Sequence, residues 1–121
     1  MEFVVELESG REAYRRQAWR GAHEALTVAD RSAELGPSDL EMLATSAYML
    51  GREQEYMEVL ERAYRAHLEA EEPLAAARCA HWIAVGLAVR GELGRANGWL
   101  GRAGRLVERE GSDCAERGYL L

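Results

Sequence analysis

The chain is predicted to be all-α, a solenoid of three helical hairpins plus a terminal helix. Three observations predict this. Gln17, Trp19, Ala22, Leu26 and Ala29 are followed 34 residues later by Gly51, Glu53, Tyr56, Leu60 and Ala63, and 40 residues after those by Gly91, Leu93, Ala96, Leu100 and Ala103. An offset of this length marks a two-helix unit that buries its apolar side by stacking on its neighbours. The composition is rich in Ala, Leu, Glu and Arg and holds only two prolines, which favours helix and leaves no segment reading as a sheet. Between glycine-bearing breaks, apolar residues recur at helical spacing.

Each element follows from these signals. Phe3, Leu7, Gly10 and Tyr14 share one helical face, so the first helix starts near Glu2 and ends near Gln17, in preference to a start at the Ser9/Glu12 capping pattern. Its partner spans Trp19 to Glu34, turns Ala22, Ala25, Leu26, Ala29 and Ala33 inward, and stops at Gly36-Pro37. Ser38 and Glu41 read as a capping box opening the third helix, with Leu40, Leu43, Ala44, Ala47 and Leu50 on its inner face and Gly51 supplying the left-handed turn. The fourth runs from about Glu53 to Ala70, with Tyr56, Val59, Leu60, Ala63 and Ala66 inward, and Pro73 sits where a first-turn proline is tolerated. In the third hairpin Ala76, Ala80, Ile83, Ala84 and Leu87 are expected to face Leu93, Ala96, Leu100, Ala103 and Val107 across the turn at Gly91. Asp113 and Glu116 resemble one more cap, so Cys114 to Leu121 is expected to begin another helix. Such a half-hairpin either caps by itself, continues in a longer protein, or dimerises.

Several function classes are disfavoured. All fifteen basic residues are Arg, so neither a Schiff-base lysine nor a phosphate-loop lysine exists. The net charge of −6 opposes phosphate attraction, so no direct nucleic-acid contact is expected. Cys79 and Cys114 lie too far apart in sequence for a zinc or redox motif and read as core residues of a protein in a reducing compartment. The start is too acidic for a signal peptide and no stretch reaches membrane-spanning length, so the expectation is a cytoplasmic protein without membrane contact. His23, His67 and His81 show no metal-ligand spacing, and no nucleophile, base and orienting residue form a set. The protein is therefore expected to be non-enzymatic, with no metal and no cofactor.

The three units resemble tetratricopeptide repeats, over about 3–36, 37–70 and 75–110 of a single domain 1–121, with 112–121 starting a fourth helix pair. The second carries Leu40, Leu43, Ala44, Gly51 and Ala63 at the family's apolar, small, turn and alanine positions. The first keeps Gly10, Trp19, Ala22 and Ala29 but has Gln17 for the turn glycine; the third keeps Ile83, Ala84, Gly91, Ala96 and Ala103. Tyr56 stands where alanine is usual, and Glu34, Leu68 and Glu108 where proline is usual. Within the third unit, AAARCAHWIAVGLAVRGELGRANGWLGRAGRLVE is similar to the helical-repeat region of LuxR-type transcriptional regulators, where it lies upstream of a helix-turn-helix.

The resemblance implies a concave groove lined by first helices, presenting Arg11, Tyr14 and Arg15, then Glu41, Thr45, Tyr48 and Met49, then Arg78, His81, Val85 and Val89. That mix suits a partly apolar ligand with an acidic group. A carboxylate clamp of the chaperone-tail kind is not implied, because the matching positions hold Leu7, Arg11, Met42, Arg78 and Trp82. Trp19, Trp82 and Trp99 read as packing residues rather than a ligand platform. Gly94, Gly98 and Gly101 form a stripe that either seats a neighbouring helix or second subunit, or reflects only a glycine-rich chain. Glu58 and Arg62 are expected to pair on a helix surface. The leading expectation is an interaction or effector-sensing module, the repeat region of a LuxR-type regulator, whose partner is a protein, a peptide or a small effector. The alternative is a stand-alone adaptor forming a homodimer through its C-terminal helix.

Overall fold

The computed structural model describes residues 2–111, and among them it holds six helices and no strand. They are α1 (Glu2–Arg15), α2 (Trp19–Ser32), α3 (Pro37–Met49), α4 (Glu53–Glu69), α5 (Pro73–Val89) and α6 (Leu93–Gly111). The helix expected from Cys114 to Leu121 lies outside the described residues. None of the six is long and apolar enough to cross a membrane. The chain divides into two compact units, residues 1–63 and 64–121, with the division inside α4.

In the first unit α1 packs on α2, and α3 packs on both. Ala22, Leu26 and Ala29 of α2 are inaccessible to solvent, as is Ala47 of α3, so small residues set how closely these helices approach. Gly10 decides the α1–α2 approach. A Cβ there would stand 2.7 Å from Leu26 Cγ, a separation that no packed side chain tolerates. Two bidentate ion pairs brace the unit: Arg11 of α1 to Asp39 of α3, and Arg62 of α4 to Asp30 of α2, all four bonds at 2.9 Å. Arg62 therefore serves α2, and Glu58 instead accepts from Gln54, contrary to the expected surface pair. The stronger geometry wins, because a guanidinium fork matches both oxygens of a half-buried carboxylate.

In the second unit α5 packs on α6. Ala76, Ala80, Ile83, Ala84 and Leu87 of α5 are buried as expected. On α6 the buried row is Ala96, Trp99, Ala103 and Leu106, while Leu93 and Leu100 are 62% and 46% exposed. The helix is thus rotated from its expected facing. The Trp99 ring sets that rotation, meeting the Tyr64 ring edge-on at 4.9 Å and burying more apolar surface than either leucine would.

Four turns share one geometry. The second residue past the helix adopts a left-handed backbone at Gln17 (φ 60°), Gly51 (78°), Glu71 (59°) and Gly91 (84°). The amide that follows reaches back to the helix: Ala18 to Ala13, Arg52 to Ala47, Glu72 to His67 and Glu92 to Leu87, at 2.8–2.9 Å. This double closure satisfies the last carbonyls of a helix and reverses the chain in three residues. The α2–α3 connection differs. Here α2 ends at Ser32, the chain extends through Ala33, and α3 starts on Pro37 with Gly36 as its cap. The expected Ser38/Glu41 capping box does not form, since proline already presets the first turn and no side chain caps it.

Candidate functional site

The residues expected to line a groove fall on exposed or half-exposed faces of α1, α3 and α5, and their surroundings separate them. In the first unit Arg11 is committed to structure. Its Nε and Nη2 donate to Asp39 and its Nη1 donates to Glu8 at 2.8 Å, so the charge is spent on joining α1 to α3. Arg15 donates to Glu12 at 2.9 Å, and Tyr14 meets the Trp19 ring edge-on at 5.6 Å. On α3, Glu41 and Thr45 are half-buried. Tyr48 and Met49 are 58% and 50% exposed, and the Tyr48 ring lies 5.0 Å from that of Tyr56. Tyr56, which occupies the position expected to hold alanine, therefore supports a solvent-facing tyrosine.

In the second unit α5 is apolar on both sides. One side is the buried row against α6. The other presents Arg78, His81, Trp82, Val85 and Val89, which recur at three- and four-residue spacing along one exposed face. Trp82 is 49%, Val85 37% and Val89 77% exposed, and the His81 ring stands edge-on to Trp82 at 5.3 Å. Trp82 and Trp99 were both expected to pack between helices; Trp99 is buried, whereas Trp82 joins the exposed row. The signal was present in the sequence, because Trp82 falls one turn before the Val85 and Val89 positions assigned to the surface.

Two buried histidines are paired with carboxylates that sequence reading did not connect. His23 Nε2 lies 2.7 Å from Glu55, tying α2 to α4, and His67 Nδ1 lies 2.8 Å from Glu72 across the turn between α4 and α5. A ring nitrogen of His67 and the sulfur of buried Cys79 lie within 4.8 Å.

The glycine stripe is open. A Cβ added at Gly94, Gly98 or Gly104 meets nothing within 4 Å, and one at Gly101 meets only the Arg105 guanidinium. Among the described residues, then, no helix is seated on it. Compared with known protein families and with curated proteins, the chain matches none.

Proposed function

We propose that the chain is a tetratricopeptide-like solenoid of helical hairpins that acts as a non-enzymatic interaction or effector-sensing module, the repeat region of a LuxR-type transcriptional regulator. The observation carrying this reading is the exposed face of α5. A row of Trp82, Val85 and Val89 left in water forgoes roughly 1–2 kcal/mol of burial per side chain, which docking of an apolar ligand would recover. Arg78 and His81 on the same face offer donors to an acidic group of that ligand. The repeated turn geometry at Gln17, Gly51 and Gly91 supports the hairpin reading, as does the close approach of Gly10 to Leu26 in the first unit.

A library of short apolar peptides and small carboxylic acids, screened by Trp fluorescence and thermal shift, tests the binding reading. Binders are expected whose affinity falls at least about tenfold in Val85→Asp or Val89→Asp, the scale of losing one buried anchor. A screen without binders, or binders indifferent to both changes, removes it. The regulator reading is tested separately by whether the same reading frame also encodes a helix-turn-helix. Salt-independent dimers in light scattering, with no such segment, would favour the adaptor.

A further inference from the structure

The charge of this chain is unevenly distributed. Residues 1–63 hold seven arginines against thirteen acids, which accounts for the whole net charge of −6, whereas residues 64–121 hold eight of each. Within the second unit α6 reverses the sign, with four arginines against two glutamates. Arg95, Arg102 and Arg109 stand seven residues apart, which stacks them in one row every two turns, with Arg105 beside them, and all four are exposed. Leu93 and Leu100 form a second row of the same period on the opposite edge of the exposed arc. Both rows lie outside the buried row of Ala96, Trp99, Ala103 and Leu106. Arg102 is held over the Trp99 ring at 4.3 Å, Arg95 is steadied by Glu92 at 2.8 Å, and Glu108 lies on the arc between the rows.

We propose that the outer face of α6 docks an amphipathic helix of a partner protein that carries carboxylates along one edge and apolar side chains along the other. Charge complementarity selects this occupant. A second copy of α6 would bring arginine row against arginine row when antiparallel and arginine row against leucine row when parallel, and neither arrangement supplies a carboxylate. A nucleic-acid backbone would answer the arginines and leave the leucine row in water. A helix with an acidic and an apolar edge satisfies both rows at once, and Gly94, Gly98 and Gly104, where an added Cβ meets nothing within 4 Å, leave it room to approach. This face is separate from the α5 row.

The test is an anisotropy titration of the full chain with a synthetic helical peptide bearing glutamates on one edge and leucines on the other. Saturable binding is expected, weakening several-fold as salt rises from roughly 50 to 300 mM, because screened charge pairs contribute to it. The double variant Arg95→Glu/Arg109→Glu and the single variant Leu100→Asp should each reduce affinity at least about tenfold, with the circular dichroism of the parent. Gly98→Leu gives the sharper readout: it raises the melting temperature by replacing a helical glycine and lowers peptide affinity by filling the floor between the rows. The proposal is overturned by equal affinity in the arginine double variant, by equal binding of a scrambled peptide of the same charge, or by duplex DNA binding where the peptide does not.

Discussion

Asp30 shows how one side chain can brace a unit and set its response to pH. Its carboxylate receives both prongs of Arg62 and the backbone amide of Leu35, and the Arg62 hydrogen bonds hold it below the ordinary carboxylate range. A carboxylate lowered on folding adds stability above its unfolded value near pH 4, and that contribution drains away as pH falls through the lower folded value. Asp30→Asn should therefore cost about 1–2 kcal/mol at neutral pH, with the gap between variant and parent closing below about pH 4 in urea melts. Thr27 marks the opposite case, a buried hydroxyl without a hydrogen-bond partner. Thr27→Val should raise stability by roughly 0.5–1 kcal/mol, because it removes an unsatisfied group while keeping the branched shape. Gly10→Ala should cost about 1–3 kcal/mol by overpacking against Leu26, a loss visible in the same melts.

Helix ends carry the next level of specification. Two of the four left-handed turn positions hold glycine and two hold Gln17 and Glu71, which bear a Cβ that this conformation disfavours. Gln17→Gly and Glu71→Gly should each raise stability by roughly 1 kcal/mol, measured as a higher denaturant midpoint with unchanged slope. Gly51 and Gly91 announced their turns in the sequence because glycine is the residue such turns favour. Gln17 was legible only through its offset from Gly51, and Glu71 had no local signal. At the start of α3, Pro37, read in the sequence only as part of the stop after the second helix, opens the helix in place of the Ser38/Glu41 box, because its backbone angle is preset while a side-chain cap must be ordered. Asp39, left without a capping duty, serves Arg11.

At the scale of the whole molecule, the described helices leave several large apolar side chains in water, among them Val5, Trp82, Val89 and Leu93. The exposed α5 row lies on one helix, so Val89→Asp should shift stability by less than about 0.5 kcal/mol while weakening the proposed ligand binding at least about tenfold. A measured loss above about 2 kcal/mol would instead identify Val89 as a packing residue.

The candidate site was half legible. Helical spacing turned Ile83 and Leu87 inward, and both are buried, while Val85 and Val89, which the resemblance put on the groove side, are 37% and 77% exposed. Arg11 was not legible as a strap, since its partner Asp39 is 28 residues distant and ion pairing leaves no local pattern.

Sequence alone determined that the chain is helical, where most helices begin and end, and which face of α5 is buried. Those features depend on backbone propensity and on spacing within a few residues. Only tertiary structure decided the facing of α6, the partners of Asp30, Asp39, His23 and His67, and the exposure of Trp82, Leu93 and Leu100. These depend on which large ring or charged fork a neighbouring helix brings within reach, and the free energy of burial or pairing exists only once that neighbour is in place.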